Sequence, residues 1–112
     1  MINILLVDDE KIIIKAMNKL FGRYGECTSV ESGNRAIDTF RASLHGNKSF
    51  DLIILDISLE DKSGLDVLKE IRDMEKEKNI SENKRVKIVM AKGNRDLKTV
   101  KECMPMVVTT IS

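Results

Sequence analysis

Apolar and polar positions along this chain switch repeatedly between two periods. Ile2–Val7 and residues 50–56 are short, nearly continuous apolar runs, the pattern of strands buried on both faces. Between them Ile13, Met17, Leu20 and Phe21 recur at helical spacing, and Gly22 and Gly25 close that helix. Residues 26–30 read as a second strand, followed by a helix that carries Ala36, Ile37, Phe40 and Leu44 on one face. Leu65, Leu68, Ile71 and Met74 mark a third helix, and the mixed-charge residues 75–84 are expected to be its solvated end and a loop. Residues 86–91 form a fourth strand interrupted by Lys87. The next helix bears Leu97, Val100, Cys103 and Met104 and is expected to stop at Pro105. The β-branched residues 107–111 then predict a fifth strand. Five strands alternating with four helices require a parallel sheet with right-handed crossovers, a doubly wound α/β fold.

Composition narrows the partners. A length of 112 residues supports one domain, 1–112, with a single core. A net charge of +1, with charged residues of both signs, gives no basic field for nucleic acid, and the absence of Trp removes a stacking surface. No apolar run approaches membrane-spanning length, and the apolar start lacks a preceding basic region, so the expected location is the cytoplasm, away from membranes. Cys27 and Cys103 show neither metal-ligand spacing nor a disulfide framework and are expected to be reduced and partly buried. His45, at a polar helix end, is expected to be solvated.

The chemistry gathers at strand ends. Ligands of open parallel sheets bind beyond the carboxyl ends of the strands, where the first strand delivers Asp8, Asp9 and Glu10 and the central strand delivers Asp56. Ionised together, these carboxylates repel, which raises a pKa unless a cation sits among them. Magnesium binds through one or two carboxylates, keeps several waters and completes its octahedron with phosphate oxygens. An aspartate neutralised in this way can accept a phosphoryl group. Aspartates at strand ends also serve as helix caps and turn residues. The weight therefore rests on the combination of the Asp8-Asp9 pair, a buried strand ending in Asp56, and Gly64 eight residues later.

With residues 4–10, 51–56, Gly64 and Ala91-Lys92-Gly93 in these places, the chain resembles the receiver (CheY-like) domain of bacterial two-component response regulators over nearly its whole length. The resemblance implies a flavodoxin-like sheet of order 2-1-3-4-5. It also implies that Asp56 is a phosphoacceptor fed by a phosphohistidine on a sensor histidine kinase or phosphotransfer protein. By the same resemblance Asp9, Asp56 and the backbone carbonyl of Ser58 ligate Mg2+ directly, and Asp8 acts through a bound water.

Several departures from the family pattern stand out. Such receivers end the fourth strand in Thr or Ser, the switch position whose hydroxyl meets the phosphoryl group; here Met90 aligns, and a thioether donates no hydrogen bond. The fifth-strand lysine of the family aligns with Ser112, and the final helix beyond it has no counterpart. The usual proline four residues after the phosphoacceptor is Glu60. Lys92 either lies in solvent or swings in as a phosphoryl contact. The missing helix predicts a bare sheet face exposing Val107 or Val108 with Ile111, and hence a homo-oligomer formed through that face.

The leading expectation is a phosphorelay receiver whose only chemistry is phosphotransfer, not an enzyme in its own right. The alternative is a phosphorylation-independent pseudo-receiver that serves as a protein-interaction module. A phosphatase-like hydrolase fits poorly, because the first strand does not supply two aspartates two residues apart.

Overall fold

In the computed structural model, which describes residues 1–46 and 48–111, four parallel strands form one sheet of order β2-β1-β3-β4. These are β1 (Ile2–Val7), β2 (Gly25–Val30), β3 (Leu52–Asp56) and β4 (Lys87–Ala91). The helices are α1 (Lys11–Phe21), α2 (Gly33–Leu44), α3 (Gly64–Glu77) and α4 (Gly93–Thr109). The continuous apolar runs occupy the sheet's centre: β1 pairs with β2 on one side and β3 on the other, Leu6 level with Ile54. Their alternating side chains feed two layers. Leu5, Val7, Ile53 and Leu55 meet Ile37, Phe40, Val67 and Ile71 of α2 and α3. Ile4, Leu6, Leu52 and Ile54 meet Met17 and Phe21 of α1, with Val100 and Met104 of α4.

The carboxyl half of the chain departs from the expectation. Residues 107–109 are not a fifth strand but the last turn of α4, which runs through Pro105. An interior proline removes one helical hydrogen bond and costs about 3 kcal/mol. Against that stands a stripe, Leu97, Val100, Met104, Val107 and Val108, that keeps helical spacing across the proline and packs into the α1 layer. The hydroxyls of Thr109 and Thr110 donate to the carbonyls of Pro105 and Val107, each at 2.7 Å, and so satisfy the helix end.

This placement corrects the bare-face expectation. The α1 side of the sheet is covered by α1 and α4 together, and Val107, Val108 and Ile111 lie partly buried against that layer. A homo-oligomer through an uncovered face there has lost its premise. The strand order agrees with the expected one over four strands; the Ser112 alignment, like Asn47 in the α2–β3 connection, lies outside the described residues.

Smaller corrections follow from the same packing. In α3 the buried line is Val67, Ile71 and Glu75, while Leu65 is 59% exposed in the first turn. Glu75, expected in solvent, is buried because its carboxylate has partners inside. Lys87 is tolerated because it stands exposed at the start of the edge strand β4. Cys103 is exposed on α4 rather than part-buried, and Cys27 is partly buried with its thiol pKa raised by burial.

Candidate functional site

The two central strands end side by side, and the carboxylates that follow them converge. Oxygen atoms of Asp8, Asp9 and Asp56 all lie within 4.8 Å of one another. Asp8 is buried beyond β1, its N–H bonded to the Val30 carbonyl at 3.3 Å and its Oδ1 accepting the Glu10 N–H at 2.9 Å. Asp56 is the last residue of β3, level with Ala91 of β4, and its Oδ1 accepts the Ser58 N–H at 3.2 Å. Asp9, half-buried, reaches across to accept the Glu60 N–H with Oδ2 at 3.1 Å.

Electrostatics follow from this crowding. Burial lifts the Asp8 carboxyl from its ordinary 3.8 to about 6, against the Glu10 hydrogen bond and with the neighbouring charges of Asp56, Asp9 and Glu10. Burial also raises Asp56; Asp9 adds to the rise, whereas the Ser58 N–H and the Lys92 charge oppose it. Two acids that hold protons more tightly than in water form a site poised for a cation.

The rim opens into a cleft of about 260 Å³ with these carboxylates on one wall. Lys92 and the first residues of α4, Gly93, Asn94 and Arg95, form the other. Gly93 has φ +39° with Asp8 directly beneath it, a conformation that favours glycine. Gly64 starts α3 against the Asp56 backbone, where an added Cβ would stand 2.6 Å from the Asp56 carbonyl oxygen. That contact explains the glycine eight residues after Asp56, since any side chain there would push the β3–α3 loop off the strand end.

The sequence-predicted residues are thus placed as follows. Asp8, Asp9, Asp56, Ser58 and Lys92 border one cleft. Met90 does not: it is level with Leu55 and turns toward α3, its methyl 3.0 Å from where a Gly64 Cβ would be. Two neighbours of the site were not legible in the sequence. Arg95 reaches the cleft because the first turn of α4 faces the rim, and Glu60 contributes through its peptide N–H, which no side-chain pattern reveals.

Comparison with known proteins agrees with this architecture. The family model for the response regulator receiver domain matches residues 4–110. The hybrid signal transduction histidine kinase L of Dictyostelium discoideum is 35% identical over 92 residues, 81% of this chain. The chain spans only 5% of that kinase, and 9% of another curated relative it matches, Arabidopsis thaliana histidine kinase 3. Among solved structures, the receiver domain of the Arabidopsis thaliana histidine kinase CKI1 complexed with Mg2+ and BeF3− has a TM-score of 0.70 at 20% identity, covering 94% of this chain and 84% of that one. The receiver domain of Saccharomyces cerevisiae Ssk1, co-crystallised with the phosphotransfer protein Ypd1, has a TM-score of 0.66 at 23% identity, covering 88% and 70%.

Proposed function

Because the chain belongs to the response regulator receiver domain family, we propose that it accepts a phosphoryl group on Asp56 from a histidine kinase or histidine phosphotransfer protein, with Mg2+ at its acidic rim. The observation that carries this reading is the meeting of Asp8, Asp9 and Asp56 within 4.8 Å at the mouth of a cleft bordered by Lys92. Three carboxylates this close are a hard oxygen donor set of the kind that Mg2+ takes. By the family resemblance, Asp9, Asp56 and the Ser58 carbonyl would hold the cation directly and Asp8 would act through a bound water. A cation held there would neutralise the rim and draw charge from the phosphoryl oxygens.

The chain's own groups do the rest. The Ser58 N–H fixes one oxygen of Asp56 and leaves Oδ2 for attack. An O–P bond forms in line with the breaking P–N bond, and the electron pair departs on the donor imidazole nitrogen, which takes up a proton. Lys92, whose charge already favours the ionised Asp56, borders the cleft that would admit the incoming oxygens. A protein donor has apolar footing around the cleft: Ile12, Ile57 and Leu65 are 75%, 39% and 59% exposed at the same end of the sheet. Such a partner and its ATP-derived phosphoryl group belong to the cytoplasm, where the reading places this domain.

The alternative, a phosphorylation-independent interaction module, draws on Met90, which supplies no hydroxyl at the switch position. Intact-mass spectrometry after incubation with acetyl phosphate and Mg2+ separates the two. The receiver reading expects one added phosphoryl group that is absent from Asp56→Asn. An unmodified chain that gains no mass from acetyl phosphate or from a phosphorylated donor protein leaves the interaction module standing instead.

A further inference from the structure

Between Asp56 and α3 the chain makes a short loop, 57–63, that is tied down by three sets of hydrogen bonds. At its start the Ser58 N–H donates to Asp56 Oδ1 at 3.2 Å. At its middle the Glu60 N–H donates to Asp9 Oδ2 at 3.1 Å. Next in sequence, the Asp61 carboxylate accepts the N–H groups of Gly33 and Asn34, at 2.9 and 2.8 Å, and so closes the amino end of α2. Burial is the largest single influence on the Asp61 carboxyl and pushes its pKa up, but the N–H groups of Asn34 and Gly33, with those of Asp61 and Lys62, together outweigh it and hold the carboxyl below its ordinary range, so it stays an ionised anchor. The peptide between residues 59 and 60 is therefore held from both sides.

We infer that the Glu60 peptide N–H is a positioning group for Asp9, fixing the orientation in which that carboxylate meets the cation, and that Asp61 holds this N–H in place from α2. The inference rests on the receiver reading of the acidic rim. A carboxylate with one oxygen bound by a fixed donor presents the other without a rotational search, and such outer partners typically contribute 10- to 100-fold in metal affinity. The N–H also withdraws charge from the most solvent-accessible member of a mutually repelling trio. Position 60 is where the family resemblance leads one to expect proline, which has no N–H to give. The departure at Glu60 thus acts through its backbone, and the Glu60 side chain, exposed to solvent, is incidental.

Two variants isolate the backbone from the side chain. Glu60→Ala keeps the N–H and Glu60→Pro deletes it, and calorimetric Mg2+ titration is expected to show the proline variant binding about 10- to 100-fold more weakly than the alanine variant. Asp61→Ala, which frees the loop from α2, is expected to fall between them. Circular dichroism and urea unfolding verify that each variant is folded. Amide hydrogen exchange on the unmodified chain provides a measurement that needs no variant to fold. The Glu60 amide is expected to be protected, and Asp9→Ala is expected to abolish that protection. Equal affinities for the alanine and proline variants, or a Glu60 amide that exchanges like an open-loop amide, overturn the inference. An unmodified chain that binds no Mg2+ while its Glu60 amide stays protected overturns the receiver reading instead, and the two failures are distinguishable.

Discussion

Glu75 Oε2 accepts the backbone N–H of Val86 at 2.8 Å, which joins the last turn of α3 to the residue that leads into β4. Its other oxygen takes the Arg72 guanidinium at 2.6 Å, and the side chain is 1% exposed. A buried anion is tolerated here because both oxygens are partnered. Glu75→Ala leaves the buried Val86 N–H unpaired and is expected to lower unfolding stability by about 2–3 kcal/mol, whereas Glu75→Gln keeps an acceptor and loses less. Urea midpoints of the three proteins check the order; equal midpoints for the alanine and glutamine variants contradict it.

The acidic rim sets a pH dependence with a definite sign. The Asp8 pKa is raised from 3.8 to about 6 on folding, and Asp56 moves the same way. A group that holds its proton more tightly when folded stabilises fully below its unfolded pKa, and that contribution is lost as pH rises through the folded value. Without metal, the Tm contribution of these groups is therefore expected to fall between about pH 4 and pH 6. Asp61 and Asp96, whose carboxyls are lowered, act below that window. Saturating Mg2+ requires the ionised carboxylates and is expected to reverse the loss above about pH 6. Scanning calorimetry with Asp8→Asn as reference tests this: a pH profile unchanged by that substitution contradicts the assignment.

Lys92 opposes the rise of the Asp56 pKa and borders the cleft. Lys92→Ala is expected to slow phosphorylation by acetyl phosphate about tenfold, and to move the rate's pH profile upward. An enclosed donor typically contributes 100- to 1000-fold, and solvent around an exposed ammonium screens much of that. Rates unchanged across pH would return Lys92 to the solvated surface.

Pro105 lies inside α4, so Pro105→Ala is expected to restore a helical hydrogen bond and stabilise the domain by about 1–3 kcal/mol. Residues 107–109 in an extended strand would give no such gain. Thermal melts together with helix-specific circular dichroism distinguish the two.

The sequence by itself determined the sheet's centre and the chemistry at its rim. Uninterrupted apolar runs such as residues 4–7 and 52–55 have no stable place except between two helical layers, and a parallel strand that ends in Asp56 must deliver that carboxylate beside Asp8 and Asp9. Local pattern and global fold agree there, so short-range reading succeeds. Tertiary structure decided what local preference left balanced. Val107 and Val108 favour a strand by β-branching and Pro105 argues against a helix, yet the apolar stripe from Leu97 to Val108 becomes useful only where it packs beside α1 on that face of the sheet, and burial outweighs propensity. Glu75 and the Glu60 N–H are of the same kind. One is a charge whose partners lie on another element and the other is a backbone donor, so neither leaves a mark in composition or periodicity until the chain is folded around it.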